Sequence, residues 1–344
     1  MRKLLVLGVM ALVLALAILS ACTRERIINQ VVADTSCFNC HSDQNTFILA
    51  AEKQWENSVH ASGENISRNT SSCNYCHTNE GYVAKLTTGT APSVVENPTA
   101  IGCFTCHAPH TNGNLTLRTY AAVTMQDGAT YDHGASNICA NCHQSRRNVN
   151  TYVYDSVTFT STHWGPHYNG QGDMLNGTNG YEYAGYTYYS SRHTTDAPNG
   201  CVDCHMYPTP SYGMGGHTWR MEENGTENIG ACNQDGCHGP PNQPLTEFNR
   251  VTAAFPNGVQ DSLQTLLDEL ANELVAAGLI DGVTYHPIAG RKVATADSAG
   301  AVWNFLFVEE DKCLGIHNTQ YAAALMNSSI DYLQSTPLSM VASH

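Results

Sequence analysis

Five times along the chain, two cysteines three positions apart are followed directly by a histidine. The sets are Cys37, Cys40 and His41; Cys73, Cys76 and His77; Cys103, Cys106 and His107; Cys139, Cys142 and His143; and Cys201, Cys204 and His205. Two thiols at this spacing reach the two vinyl groups on one edge of a porphyrin, and the next residue turns its imidazole onto the iron. The pattern therefore reads as attachment of c-type haem. The resulting thioethers are not redox-labile, so the cofactor stays in place through repeated electron cycles. In a sixth set, Cys232, Cys237 and His238, four residues separate the thiols, and Gly236 lets the longer loop fold back without a Cβ clash. It reads as a sixth haem site, with a disulfide or an unused pair as the alternative. The count agrees: 14 cysteines less Cys22 and Cys313 leave twelve, or six pairs.

Two other chemistries use paired cysteines. A structural zinc site usually brings two such pairs together and gives no reason for a histidine after each second cysteine. Thioredoxin-like exchange needs one motif at a helix start, not a series through the chain. With six of the 16 histidines following the cysteine pairs, ten remain: His60, His110, His133, His163, His167, His193, His217, His286, His317 and His344. Six irons need six further ligands, and two imidazoles on each would hold the haems at low potential compared with a His/Met pair. His217 follows Gly215 and Gly216, which let backbone approach a porphyrin face, and His317 follows Gly315 at a helix junction. From His163 and His167 one ligand is expected, His167 being favoured and the other lying at a haem edge or propionate. His110 is a candidate for a neighbouring haem or a propionate, and His286 and His344 are expected to be structural or exposed.

The elements that must position these groups differ along the chain. Arg2 and Lys3, an apolar run from Leu4 to Leu19 and then Ser20 and Ala21 describe an export signal over 1–21. Cys22 directly follows it and starts a tether over 22–36. Residues 37–150 hold motifs one to four and 151–250 hold motifs five and six. Few periodic stretches occur there, and Gly, Asn, Thr and Ser punctuate throughout, a composition that needs its cofactors to form an interior. Residues 251–344 carry no motif but show helical periodicity at Leu263, Leu266, Leu267, Leu270 and Leu274, with Gly278 as the stop. A second helix is expected from near Asp297 with Val302, Phe305 and Leu306 on one face, broken by Gly315. A third is capped by Asn318 and bears Tyr321, Ala322, Leu325 and Ile330. The fold class is mainly α with irregular coil and little β, built around haem, with a helical C-terminal segment. Eight of 17 tyrosines fall between Tyr152 and Tyr189 and read as a strand or loop covering haem faces. Cys313 reads as a small buried hydrophobe.

The formal charge of −14, and −14 − 2 = −16 without Arg2 and Lys3, opposes nucleic-acid binding through phosphates.

The haem motifs, the run from His163 to Asn169 followed by Gln171-Gly172-Asp173-Met174, and Gly315-Ile316-His317-Asn318 resemble multihaem c-type cytochromes of bacterial extracellular respiration. Among these are lipoprotein and filament-forming cytochromes of metal-reducing bacteria. The helical end also resembles the C-terminal helices of pentahaem nitrite reductases and their octahaem relatives. By this resemblance His60, His133, His193, His217 and His317 stand at sixth-ligand positions. Leu19-Ser20-Ala21-Cys22 resembles a lipobox, which implies a lipidated Cys22 and anchoring at an outer membrane or cell surface. The implied function is electron transfer through six haem c groups to redox-partner cytochromes or extracellular acceptors such as metal oxides, with assembly into filaments as a further possibility. The alternative is a reductase of nitrite, hydroxylamine or a sulfur oxyanion, which needs one open iron. Nitrite reductases usually mark that haem with lysine in place of the motif histidine, and no such motif occurs. The expanded motif carries its own test. The mass of purified Cys232→Ala protein is expected to be lower by one haem, and retention of all six would reject the sixth site.

Overall fold

The computed structural model describes residues 41–42, 45–63, 65–239 and 244–337. Cys22, Cys37, Cys40 and His344 lie outside the described residues. Helix and irregular coil dominate, as expected, with two small sheets. Among the described residues five helices reach ten residues: α1 (Thr46–Glu56), α2 (Asn79–Thr88), α3 (Val259–Ala276), α4 (Ala296–Asp311) and α5 (Thr319–Ser335). The sheets are antiparallel two-residue pairs, β1 (Val123–Thr124) with β2 (Thr130–Tyr131) and β3 (Glu222–Glu223) with β4 (Thr226–Glu227). No described helix is long and apolar enough to cross a membrane.

The three C-terminal helices form the apolar core. α3 buries Leu263, Leu267, Leu270 and Leu274 along one face, as its periodicity predicts. α5 starts where expected, with the Asn318 side chain accepting the Tyr321 N–H. α4 differs from its expectation. It buries residues on every side, from Ser298 to Val308 without interruption, so it is a central helix rather than an amphipathic one.

What covers α4 is the chain between the fourth and fifth motifs. Val149, Val153, Val157, Phe159, Trp164 and Met174 join the same apolar cluster as the C-terminal helices. Backbone hydrogen bonds run from Phe159 to Arg291 and from Val293 to Val157. The Trp303 indole N–H donates to the Asn179 carbonyl at 2.8 Å, and Asn304 bonds both polar backbone groups of Tyr181. The tyrosines correct a second expectation. Tyr181 donates to Asp297 Oδ1 at 2.7 Å, Tyr183 to the Asp297 carbonyl and Tyr188 to Ser328, so these three cover the C-terminal helices, not haem faces. The ring packs on the helices while the hydroxyl satisfies their polar groups, which suits an amphipathic side chain.

Before Val149 the apolar interior is small. Its cluster consists of Val123, Met125, Tyr131 and Ala140 with Leu175 from later in the chain. Burial on that scale offsets little of the conformational entropy of ordering so many residues.

Gly300 shows how closely the covering arc approaches. A Cβ there would lie 2.1 Å from Tyr181 Cδ1. Alanine would favour the helix by about 1 kcal/mol, but overpacking costs about 1–3 kcal/mol, so the clash decides the sign. Gly300→Ala is expected to lower the denaturant midpoint of the holoprotein, followed by far-UV circular dichroism; an unchanged or raised midpoint would contradict this packing.

Candidate haem sites

Each described motif closes as a single tight turn. The histidine N–H donates to the first cysteine carbonyl in motifs two, three and four: His77 to Cys73 at 3.2 Å, His107 to Cys103 at 2.9 Å and His143 to Cys139 at 2.9 Å. The fifth motif lies in a helical turn, Cys201–His205. In the expanded motif, His238 N–H reaches the Cys232 carbonyl at 3.1 Å, the same closure despite two extra residues. Gly236, at φ +82°, takes up the excess chain in the left-handed region that favours glycine. Cys232 is in no disulfide.

The histidines then fall into pairs. Every motif histidine faces one histidine from outside the motifs. His41 faces His110 with ring centres 5.9 Å apart, His77 faces His167 at 6.4 Å, and His107 faces His217 at 6.4 Å. His143 faces His60 at 6.1 Å, His205 faces His317 at 6.1 Å, and His238 faces His193 at 6.1 Å. An ion held at about 2 Å by a nitrogen of each ring, the ordinary metal–imidazole distance, sets ring centres about 6 Å apart. The pairs therefore have the spacing a six-coordinate iron requires.

The ring nitrogens are prepared for this. Neutral imidazole is the ligating form, and a partner on Nδ1 leaves Nε2 for metal. Nδ1 of His143 meets Gln171 Oε1 at 3.2 Å, that of His167 meets Asn169 Oδ1 at 2.9 Å, and that of His193 meets the Ile316 carbonyl at 2.6 Å. His205 uses the Trp219 carbonyl at 2.7 Å, and His317 uses Asp311 Oδ1 at 2.7 Å. Burial, with repulsion from the facing ring, lowers His60 and His217 to about 4, which keeps both neutral. His317 is the exception. Burial works against its charged form, yet Asp311 and Cys313 raise it well above the usual value. Nδ1 of His60 and of His107 is buried without a protein partner, a polar orphan that a bound group or water would have to satisfy.

One expected ligand, His133, and the less favoured of the two alternatives, His163, sit elsewhere. His133 packs against Tyr131 at 4.6 Å and points Nδ1 to the Ala197 carbonyl, because Asn137 Oδ1 holds its backbone N–H and a 3₁₀ turn follows at Gly134–Ser136. His163 is exposed, bonded through Nδ1 to the Tyr168 hydroxyl and set beside His286 at 6.0 Å, with no cysteine pair in that part of the chain. His167 supplies the facing ring instead. Cys313 also departs from its expected role. Its thiol donates to Asp311 and accepts the His317 N–H at 3.2 Å, so it supports a ring rather than filling apolar space.

The run around His167 has a clear structural purpose. Asn169 bonds the Cys142 carbonyl, Gly172 N–H donates to the His143 carbonyl at 2.9 Å, and Asp173 accepts the Ser145 N–H at 2.6 Å. This segment thus clamps the fourth motif while offering His167 to the second. Trp219 joins three sites: its ring lies 4.7 Å from His60 and 5.8 Å from His217, and its carbonyl takes His205. Sequence reading missed these supporting residues. Asn169, Gly172 and Asp173 stand in the run that carries the resemblance without a role read for them, and the only signal for Trp219 was its place two residues after His217.

The thiols also bear on the competing chemistries. Burial pushes Cys106 up to about 11 and Cys204 to about 12, whereas neighbouring groups lower Cys73, Cys76 and Cys201, so thiol acidity follows no common pattern across the motifs. Among the described residues, the one close group of three or more metal-binding side chains is Asp311, Cys313 and His317, not two cysteine pairs. A cavity of about 670 Å³ beside the second and fourth motifs is lined by Tyr75, Tyr82, Asn141 and Gln144 but by no cysteine or histidine, so it is not one of the gaps between paired rings.

No protein-family model matches the chain, and no curated protein does. Two solved structures are similar to it. One is the outer cell wall cytochrome OcwA, with 18% identity and a TM-score of 0.49 over 82% of this chain and 50% of that one. The other is an undecahaem cytochrome from the S-layer of Carboxydothermus ferrireducens, with 18% identity and a TM-score of 0.46 over 82% of this chain and 41% of that one. The chain thus spans half the length of the first and less than half of the second.

Proposed function

We propose that this chain is a hexahaem c-type cytochrome that conducts electrons and carries no substrate site. The observation that carries this reading is the facing of all six motif histidines by six others at 5.9–6.4 Å. His41, His77, His107, His143, His205 and His238 would be the proximal ligands. Their respective partners would be His110, His167, His217, His60, His317 and His193. When bound, haem supplies a reversible one-electron couple. The polypeptide fixes the thioether points, orients both rings and excludes water around them. Rings already held in place move little when the metal changes charge, which keeps the reorganisation on electron transfer small.

The sites adjoin one another. The Cys76 and Cys142 thiols lie close enough to shift each other's acidity, as do those of Cys139 and Cys201, so motifs two, four and five meet at their attachment points. This contiguity supports a relay. A reductase of nitrite, hydroxylamine or a sulfur oxyanion needs an open coordination position, whereas here a ring faces each motif histidine. The export signal and Cys22 support placement at an outer membrane or cell surface, with redox-partner cytochromes or extracellular metals as acceptors.

The pairing is testable one site at a time. The oxidised wild-type protein should bind six haems and be low-spin throughout by electron paramagnetic resonance. Alanine at His60, His110, His167, His193, His217 or His317 should each create one high-spin haem. His133→Ala and His163→Ala should create none. A high-spin haem in the wild type, or one created by His133→Ala, would overturn the assignment.

A further inference from the structure

Five of the paired rings have a protein partner on Nδ1, and in four of them it is a neutral carbonyl or amide oxygen. The fifth is different in kind. His317 Nδ1 meets the carboxylate of Asp311 at 2.7 Å, and Asp311 is 4% exposed. It is the one histidine–carboxylate pair among the described residues. The last residue of α4 supplies the anion, and a short turn returns the chain so that His317 lies against it just before α5. Cys313 completes the arrangement. Its thiol donates to the other carboxylate oxygen, in competition with the ring, and its sulfur accepts the His317 backbone N–H.

We infer that Asp311 sets the reduction potential of the fifth site, holding the haem between His205 and His317 below the potential it would have with a neutral partner on that ring. This rests on the ligand pairing proposed above. A charge-assisted hydrogen bond is roughly twice as strong as a neutral one, and a carboxylate behind a ligating imidazole raises the ring's basicity. A more basic ligand and a nearby buried anion both favour the more positive, oxidised iron. The Asp311 carboxylate is a positioning and tuning group, not a ligand, because Nδ1 is engaged and Nε2 remains for the metal.

The site's location gives the effect a consequence. Cys201 of this motif meets Cys139 of the fourth, and the Cys201–His205 helix touches the Ile229–Ala231 turn that leads into the sixth. The fifth haem therefore lies between the fourth and the sixth. A low-potential stage there would be crossed by electrons rather than occupied by them, leaving reducing equivalents on its neighbours.

The test is a spectroelectrochemical titration of the full-length six-haem protein. Asp311→Asn, which keeps the hydrogen bond but removes the charge, should favour reduction of one haem of the six by about tenfold, a rise of about 59 mV for one electron. Asp311→Glu should stay near the wild-type curve. Cys313→Ala should shift the same haem the opposite way, since the carboxylate loses a competing donor; it also gives an independent result if Asp311→Asn fails to accumulate. Six low-spin haems with midpoints unchanged in Asp311→Asn, or unchanged in Cys313→Ala if that variant alone is obtained, would overturn the inference. A wild-type protein lacking six low-spin haems would instead reject the ligand pairing.

Discussion

Two imidazoles whose centres lie about 6 Å apart do not touch, and this chain builds that arrangement six times around its motif histidines. The gap is the constraint on which the rest of the proposed account depends. Each gap has a thiol pair in sequence beside it and would be spanned by one metal with its macrocycle. The polypeptide before Val149 has only a small apolar cluster of its own. In the proposed holoprotein the porphyrins would provide the missing apolar interior, with the cysteine pairs and the paired histidines tying the chain to each.

The C-terminal helices contribute a conventional core, and its value lies in what it holds. α4 is enclosed by α3, α5 and the arc that begins at Val149. That arc passes through His167 and leads to His193, whose Nδ1 rests on the Ile316 carbonyl beside His317. Three facing rings are thus fixed by one packed module. Such pre-organisation suits electron transfer, because ligands held by packing and hydrogen bonds reorganise little between charge states.

The motifs, the three long helices and most of the facing histidines were legible in the sequence, because each is a local pattern. Cysteine spacing records the attachment turn, and a leucine stripe records a half-buried helix such as α3. Pairing was not legible. His60 meets His143 and His217 meets His107 through space, and no sequence period records that contact. His133 illustrates the limit: it stands a few residues before a motif, as His193 does, but its ring packs on Tyr131 with Nδ1 at the Ala197 carbonyl. The tyrosine-rich run was misread because aromatic composition does not distinguish a haem face from a helix face. α4 was misread because a helix buried all round loses the periodic signal that reveals an amphipathic one.

The most direct measurement is the position of iron. Diffraction from haem-loaded crystals, with anomalous data collected at the iron edge, should give six peaks, each midway between the two rings of one named pair. A pair without a peak, or a haem iron ligated by His133 or seated between His163 and His286, would contradict the account.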